Sequence, residues 1–287
     1  MEKISSKSAF SLVEISIVTI IIGILIAGIS TGIDLYQEYR TALARSLTIN
    51  SPVIRINALA LWIDASSVES YQTAPKNQTK ISLIKDTKTS RDKINLSQTT
   101  ASRQPTFKNS LINGVSGLEF DGADDFMTSE NNVLSQNISQ DGQITIFMVA
   151  NILTSSGTGV FFKHETGTSR VGLEINNGKI RFDFPTPSYI IVTNNSLSNK
   201  NLILMAMSDK INQRLFINNQ LSASLTNSLG LANNLISPLF LGVHNDYASL
   251  ITKFYLGELI IYDRALNSKE INLINDYLSR KWGIKLN

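Results

Sequence analysis

The sequence predicts a mainly β protein: a long N-terminal transmembrane α-helix, then an antiparallel β-sandwich, then a C-terminal helix. Three observations support this fold class. An apolar run from Ile15 to Ile33 contains no charged residue, short strand patterns separated by turn residues fill the chain from Ala58 onward, and strands do not alternate with helices. This combination is typical of antiparallel sheets and disfavours a parallel one.

The apolar run is long enough for a membrane-spanning helix. About 19 residues at 1.5 Å each cross a hydrocarbon layer of roughly 30 Å. Gly28 and Gly32 stand four positions apart within it, the spacing of small residues that lets two membrane helices approach closely. They are candidate helix-packing contacts, although chance spacing explains them equally well.

The helix should continue past the membrane edge, over residues 10–50. Apolar residues recur every four positions there, at Leu35, Tyr39, Leu43 and Leu47. They mark one stripe of a helix, and Pro52 should end it because proline lacks an amide donor. Residues 51–57 are the predicted linker. The exposed half of the helix has two open roles, docking on the globular domain or packing on neighbouring subunits.

Glu14 is the acidic residue at the N-terminal edge of the apolar run. A lone carboxylate in a membrane helix costs roughly 2.5–3.5 kcal/mol to insert, and a positive partner within about 4 Å relieves that cost. Cleavage between Ala9 and Phe10 would create such a partner, the new α-amino group of Phe10. Residues 1–9 carry two lysines against one glutamate, which suits a cytoplasmic start.

The segment from Ala9 to Glu14 closely resembles the leader junction of type IV pilins and type II secretion pseudopilins. The resemblance implies that a prepilin peptidase cuts before Phe10 and methylates the new amine, and that Glu14 pairs with a neighbouring subunit's terminus during assembly. It also implies other pilins or pseudopilins as partners. The location it implies is a single pass through the inner (cytoplasmic) membrane, with the C-terminal domain outside the cytoplasm, and a pilus or pseudopilus after assembly.

Two points qualify this resemblance. Ala9 stands where the family most often has glycine, and it keeps the small size that the position requires. The alternative interpretation is a plain single-span anchor whose Glu14 only extends toward the lipid headgroups.

Composition limits the kinds of domain and partner that the rest of the chain can have. About 230 residues follow the helix, enough for one large β domain with its own core. The 287-residue chain has no cysteine, so no disulfide stabilises that domain. The net charge of +3 comes from scattered lysines and arginines without a basic run, so a nucleic-acid partner is not expected.

Segments rich in β-branched, aromatic and leucine residues predict the strands. They are residues 58–64, 117–121, 144–150, 160–163, 171–175, 180–184, 189–192, 202–207, 214–217, 239–242 and 254–262. Asn177-Gly178 and Asn218-Asn219 should form tight hairpin turns, because both residue types accept a positive φ. The spacing indicates a sandwich or jelly roll.

Four stretches make the fold more specific. They are residues 59–66, 101–107, 118–126 and 257–266, the last followed by a helix to Trp282-Gly283. In this order they resemble concanavalin A-like, laminin-G-like jelly rolls, which implies such a domain over residues 58–287. The last helix is also predicted independently, because Asn267 and Glu270 can form a capping box before an apolar stripe. It should lie on the sandwich.

Jelly rolls of this kind include lectins, glucanases and structural modules, so only a site can indicate the function. A retaining glucanase needs two carboxylates about 5–5.5 Å apart, typically from a Glu-x-Asp-x-Glu triplet, and the sequence contains none. His164 and His244 lack partners at metal-ligand spacing. The sequence therefore predicts a non-catalytic protein, not an enzyme.

Two sets of residues are candidate binding sites. Asp121, Asp124 and Asp125 could supply oxygen ligands to Ca²⁺, but six to eight oxygens are needed, and a turn at Asp121-Gly122 is the favoured alternative. No other cofactor is expected. The aromatic candidates for stacking on a glycan lie in loops or near strand ends and are Tyr71, Tyr189 and Tyr247. Trp62 and Trp282 stand in apolar patterns and should belong to the core.

Two functions remain open. The first is a minor pilin or pseudopilin of a type IV pilus or type II secretion filament that displays a large lectin-like head as a cap or spacer. The second is a filament-tip or cell-surface adhesin whose jelly roll binds carbohydrate. A head of about 230 residues is large beside helices that pack at about 8–10 Å, which favours a rare, tip-located subunit.

Overall fold

The computed structural model describes residues 11–89, 92–129, 142–153, 157–166, 169–184, 189–191, 197, 199–226, 237–244 and 250–287, and only the backbone of residues 34, 169 and 189–191. In this part of the chain two eight-stranded sheets, antiparallel throughout, follow a long N-terminal helix and precede a C-terminal helix. The predicted fold class is confirmed.

The N-terminal helix, α1 (Leu12–Ile49), begins with a capping box. The Ser11 hydroxyl accepts a hydrogen bond from the Val13 N–H, and the Glu14 carboxylate accepts one from the Ser11 N–H at 2.7 Å. These bonds satisfy amides that the first helical turn leaves without partners. α1 ends at Ile49 with Asn50 as its C-cap, next to the predicted stop before Pro52.

The N-terminal part of α1 stands away from the head. The side chains of residues 11–33 are exposed throughout. Among the described residues α1 is the one helix long and apolar enough to cross a membrane, with a mean hydropathy of 2.7 over its most apolar stretch.

The first sheet has the strand order β14-β13-β12-β7-β16-β5-β4, and β1 pairs with β16 beside β5. Its strands are β1 (Leu59–Asp64), β4 (Thr106–Ile112), β5 (Val115–Asp121), β7 (Gln143–Ile152), β12 (Asn201–Asp209), β13 (Asn212–Ile217), β14 (Gln220–Thr226) and β16 (Lys253–Tyr262). The predicted turn at Asn218-Asn219 is confirmed, since both residues have a positive φ.

The second sheet has the order β11-β10-β9-β8-β15-β6-β3-β2. Its strands are β2 (Leu83–Ile84), β3 (Leu96–Ser97), β6 (Met127–Ser129), β8 (Thr158–Thr166), β9 (Ser169–Asn176), β10 (Lys179–Asp183), β11 (Tyr189–Ile191) and β15 (Leu239–Leu241). The turn at Asn177-Gly178 between β9 and β10 also has the predicted positive φ values.

Sequence patterns did not predict the short strands β2, β3 and β6 of the second sheet, nor β4 and β14 at the two ends of the first sheet. β14 is almost entirely exposed, and β4 carries polar residues at its centre. An edge strand needs less apolar surface than a central one, because its backbone pairing and not its side chains fixes it in the sheet.

The main core lies between the two sheets. Phe120 and Phe254 stack with ring centroids 4.5 Å apart, and Phe161 meets Phe254 edge-on at 5.3 Å. All three rings are fully buried among inward-facing aliphatic side chains. Such aromatic pairs add to the stability that apolar burial provides.

A second core covers the outer face of the first sheet. It is formed by α2 (Ser268–Trp282), the C-terminal half of α1 and outward residues of the sheet, and it includes Trp62 and Trp282. The predicted capping box of Asn267 and Glu270 is present. The predictions that both tryptophans belong to the core and that the last helix lies on the sandwich are confirmed.

The face of α1 that docks includes only the C-terminal end of the predicted apolar stripe, where Leu47 packs against the second core. Leu35 and Tyr39 are 61% and 62% exposed, whereas Arg40 and Ala44 are buried. Arg40 donates to the carbonyls of Asn113 and Lys281, both at 3.0 Å. A cation is favourable at the C-terminal end of α2, where carbonyl groups lack helical partners. The first of the two open roles, docking on the globular domain, is therefore observed.

The predicted linker is also part of the packed structure. Ser51, Val53 and Ile56 are buried, and the Tyr262 hydroxyl donates to the Val53 carbonyl at 3.0 Å. The C-terminal half of α1 is thus joined to the head without a flexible connection.

A buried ionic cluster lies at this junction, and we name Asp64, Glu258 and Lys281 the junction cluster. The Lys281 ammonium is 2.6 Å from Asp64 Oδ2 and 2.9 Å from Glu258 Oε2, and all three side chains are fully buried. Thr48 of α1 donates to Asp64 Oδ2 at 3.0 Å. Burial raises the pKa of Glu258, and the lysine beside it opposes that rise.

Aromatic side chains complete the junction cluster. Trp62 Nε1 and the Tyr277 hydroxyl donate to Glu258 Oε1 at 2.7 and 2.8 Å, and Trp282 Nε1 donates to Glu258 Oε2 at 2.9 Å. These donors replace water around a buried carboxylate, which is the condition for burying a charge without a large loss of stability.

Candidate functional site

Strands β8, β9 and β10 of the second sheet carry charged residues on their outer side. Leu173 and Phe182 are Cα partners that point into the core, so the positions next to them point outward. The outward set consists of Lys163, Glu165, Arg170, Glu174, Arg181 and Asp183, and we name it the charged face. Pairing of the three strands brings its members side by side.

Lys163 joins two carboxylates of the charged face. Its ammonium lies 2.9 Å from Glu165 Oε2 and 2.8 Å from Glu174 Oε1. The Lys163 side chain lies across Gly172 on the neighbouring strand: Lys163 Cγ is 3.4 Å from the position that a Cβ on Gly172 would occupy. The absence of a side chain at Gly172 therefore lets the lysine lie flat against the sheet.

Two arginines flank Asp183. Arg181 Nε donates to Asp183 Oδ1 at 2.8 Å, and Arg181 Nη1 lies 3.4 Å from Glu174 Oε2. Arg170 Nη1 lies 3.8 Å from Asp183 Oδ2. The Asp183 side chain is 1% exposed, whereas those of Arg170 and Arg181 are 27% and 21% exposed. The buried carboxylates thus orient guanidinium groups that reach the surface.

The pKa of Asp183 is raised to about 6. Burial is the largest cause, and the nearby Glu174 carboxylate also raises it, while Arg181, Lys163 and Arg170 act in the opposite direction. A buried carboxylate with a perturbed pKa on a sheet face is a functional-site candidate, although structural ion pairs produce the same signal.

The charged face contains equal numbers of cationic and anionic side chains. Its six side chains carry three positive and three negative formal charges, and His244 borders it, with Nε2 3.9 Å from Glu165 Oε2. Arginine supplies only donors and an ionised carboxylate only acceptors. Because the two arginines are the more exposed groups, the face can donate to ligand oxygens such as hydroxyl groups.

One of the three tyrosines predicted to stack on a glycan belongs to the core. Tyr71 is 5% exposed, its hydroxyl donates to the Ala65 carbonyl at 2.7 Å, and its ring meets Phe107 edge-on. Burial removes the open ring face that stacking requires, which corrects the prediction for Tyr71. Tyr189 is the Cα partner of Asp183, so its backbone lies beside the charged face. Tyr247 lies outside the described residues, and these two remain predictions.

The three aspartates predicted as metal ligands do come together. Oxygens of Asp121, Asp124 and Asp125 lie within 4.8 Å of one another. Asp121 Oδ1 accepts hydrogen bonds from the backbone N–H groups of residues 123 and 124. These bonds form the turn that the sequence analysis favoured over a metal site. Lys80 Nζ lies 3.1 Å from Asp125, and Arg103 Nε lies 3.8 Å from Asp124. Calcium binding stays a prediction.

The predicted processing and assembly residues are described only in part. Ala9 and Phe10 lie outside the described residues, so cleavage between them stays a prediction. Glu14 is exposed and belongs to the capping box. At Gly28 and Gly32 an added Cβ would meet nothing within 4 Å, so the helix surface there is open and packing on another helix stays a prediction.

The sequence-based interpretation missed the charged face. The available signal was the alternation in β9 and β10, where apolar residues alternate with Arg170, Gly172, Glu174, Arg181 and Asp183. That pattern shows which residues point outward, but the ion pairs depend on the register between strands. His164 is a buried structural residue: its Nε2 lies 2.8 Å from the Ser237 carbonyl, and burial lowers its pKa to about 4.

Solved structures share this fold, although no protein-family model and no curated sequence matches the chain. One match is a Trypanosoma rangeli sialidase in complex with sialic acid, with a TM-score of 0.55 and 16% identity over 79% of this chain and 34% of that chain. Another is the botulinum neurotoxin serotype D binding domain, with a TM-score of 0.54 and 15% identity over 79% of this chain and 52% of that chain. The chain thus spans a third to a half of their lengths, and the likeness concerns the fold alone.

These matches overturn one prediction. The sequence predicted a protein that is not an enzyme, because the glucanase triplet is absent. Several of the matched structures are sialidases, which are enzymes. The absence of one family's carboxylate triplet therefore does not exclude catalysis on a sandwich of this kind.

Proposed function

We propose that the protein is a membrane-anchored subunit whose β-sandwich head binds carbohydrate through the charged face. The observation that carries this proposal is the paired set of partly exposed arginines over buried carboxylates, Arg170 and Arg181 over Asp183 and Glu174. The match to a sialidase in complex with sialic acid supports a carbohydrate ligand for this fold. The exposed apolar half of α1 is the anchor.

The charge balance of the face favours a neutral sugar over an acidic one. Three carboxylates already neutralise its three cations, so a ligand carboxylate would meet Glu165, Glu174 and Asp183 without a surplus positive charge. Hydroxyl groups of a neutral sugar can instead accept from the partly exposed guanidinium groups without adding a negative charge.

A glycan array with the full-length chain in phospholipid nanodiscs tests this proposal. The full chain is used because the C-terminal half of α1 belongs to the second core. Arg181→Gln should weaken binding at least tenfold, about 1.4 kcal/mol. Arg214→Gln is the matched control: this arginine is similarly exposed and pairs with Asp209 at 2.9 Å, but on the first sheet. Equal losses in both variants, or no glycan binding, would refute the proposal.

The same samples should be analysed for cleaved glycan. Turnover that depends on Glu174 or Asp183 would extend the proposal from binding to hydrolysis, a reaction known from the matched sialidases. Binding without products would limit the charged face to recognition.

Assembly into a pilus or pseudopilus is the second candidate function. The resemblance around Glu14 supports it, together with the open helix surface at Gly28 and Gly32. Mass spectrometry should then find a methylated N-terminus at Phe10, and Ala9→Leu should block its formation. An intact first methionine in cells with an active prepilin peptidase would count against this function.

Two variants of Glu14 separate its roles in assembly and capping. Glu14→Gln retains an oxygen that can accept from the Ser11 N–H but carries no charge, whereas Glu14→Leu loses both. If the carboxylate pairs with a neighbouring terminus, both variants should enter the membrane and be cleaved but fail to enter filaments. Normal assembly of Glu14→Gln would assign the residue to capping alone.

A further inference from the structure

Part of the head lies beside the C-terminal end of the apolar run of α1. A cleft of about 680 Å³ is lined on the α1 side by Ile29, Gly32 and Ile33, which belong to the apolar run. On the head side it is lined by Ser110, Asn113 and Gly114 of the β4–β5 hairpin and by Gly283 after α2. Residues of the head thus lie level with the last turn of the helix segment that would occupy the lipid.

This placement is fixed by packing immediately beyond the apolar run. A Cβ on Gly114 would lie 3.3 Å from Tyr36 Cε1 and 3.1 Å from Arg40 Cγ, so the hairpin tip is in contact with α1. Tyr36 follows Ile33 by three residues, a rise of about 4.5 Å along the helix. Arg40 then holds both the hairpin and the end of α2 through its two hydrogen bonds. These contacts hold the hairpin and the end of α2 beside Tyr36 and Arg40.

We propose that this end of the head, residues 109–114 together with residues 283–285, lies in the headgroup layer of the membrane and binds phospholipid headgroups. The inference rests on the proposed membrane anchor. Each headgroup layer is about 5–8 Å thick beside a hydrocarbon core of roughly 30 Å. A head fixed within one helical turn of that core must enter the layer.

The chemistry of this surface suits such a partner. Ser110 and Lys285 are exposed, and Lys200 is exposed next to Asn201, whose amide donates to Asn113 at 2.8 Å. Hydroxyl and ammonium groups bind phosphate oxygens. Tyr36 and Tyr39 are also exposed, at the level where tyrosines are enriched at membrane interfaces.

The opposite end of the head provides an internal reference. α2 runs antiparallel to the docked half of α1, since Arg40 bonds to the end of α2 and Ser46, Asn50 and Leu273 line one cleft at the other end. Lys269 is exposed near the start of α2, about 21 Å from Gly283 along the helix. It should remain well outside the headgroup layer.

Single-cysteine labelling tests the inference cleanly, because the chain contains no cysteine. Ser110→Cys, Lys285→Cys and Lys269→Cys would each carry a fluorophore in the full chain, in nanodiscs whose lipids bear a nitroxide on the headgroup. We expect at least threefold stronger quenching at positions 110 and 285 than at position 269. Circular dichroism of each variant checks that the fold is retained.

A fourth variant separates failure of this inference from failure of the anchor. Ile24→Cys lies in the apolar run and should be quenched by nitroxides on the acyl chains. If position 24 is quenched while positions 110 and 285 resemble position 269, the anchor stands and the headgroup contact is refuted. If position 24 is not quenched either, the anchor itself is refuted and the inference with it.

Discussion

The two outer faces of the sandwich both bury charged residues, but different surroundings enclose them. On the first sheet the junction cluster is fully buried beneath α1 and α2, and aromatic N–H and O–H groups donate to Glu258. On the second sheet the ion pairs of the charged face run along the surface, with Arg170 and Arg181 partly exposed. Buried charge alone therefore does not identify a functional site.

The two sets of charged residues differ in their exposure to solvent. In the junction cluster the protein itself supplies donors to the buried carboxylates, so the cluster contributes to joining the helix and the head. On the charged face Arg170 and Arg181 are partly exposed, so a ligand can reach them. The following experiments test whether the first cluster is structural and the second is not.

The largest effect should come from Lys281→Met. This change leaves Asp64 and Glu258 buried together without a cation, and losing one partner of a buried ion pair typically costs about 3–5 kcal/mol. Denaturant unfolding of the full chain in detergent measures the loss. Arg280→Met on the exposed side of α2 is the control, and a loss below about 1 kcal/mol in Lys281→Met would refute the structural role.

Arg40→Met should have the next largest effect. It removes the charge-assisted bonds to the carbonyls of Asn113 and Lys281, for which we expect a loss of about 1.5–3 kcal/mol. Proteolysis near residues 50–57 should become faster as the helix separates from the head. Arg45→Met, on an exposed side of α1, should behave like the parent, and equal behaviour of the two variants would contradict the docking role of Arg40.

Asp183→Asn should alter how stability depends on pH. Because the pKa of Asp183 rises to about 6 on folding, the native state holds this proton more tightly than the unfolded state, and stability falls as pH rises from about 4 to 6. In the parent the fall in unfolding free energy should be on the order of 1–2 kcal/mol, because solvent around the partly exposed arginines screens the charges. The variant should lack this fall. Asp276→Asn, on the exposed side of α2, is the control. If the variant and the parent showed the same dependence of stability on pH, the pKa of Asp183 would not be raised in the folded protein.

The smallest effect should follow from calcium. Lys80 and Arg103 already pair with Asp125 and Asp124, so we expect chelation to leave the melting temperature unchanged. A bound ion would raise it by mass action. A rise in millimolar Ca²⁺ that Asp124→Asn abolishes would contradict this expectation and establish the loop as a metal site.

Local patterns predicted most of the fold. The strands β9, β10 and β16, the two hairpin turns with positive φ and the capping box of α2 depend on residues close in sequence, and the structure has them as predicted. The edge strands β4 and β14 were not predicted because partner strands, and not their own side chains, hold them in place. The buried position of Tyr71 was not predicted for the same reason, since Phe107 and Ala65 enclose it.

The sequence by itself determined the apolar helix, the sandwich class and most of the strands, because these follow from chain geometry and local hydrophobicity. Only the tertiary structure decided which face of α1 docks, which cation neutralises Asp64 and Glu258, and which arginines meet Asp183. Lys281 is separated from Asp64 by 217 residues, and Arg40 from Lys281 by 241. Contacts at such separations depend on strand register and helix placement, which no local pattern encodes.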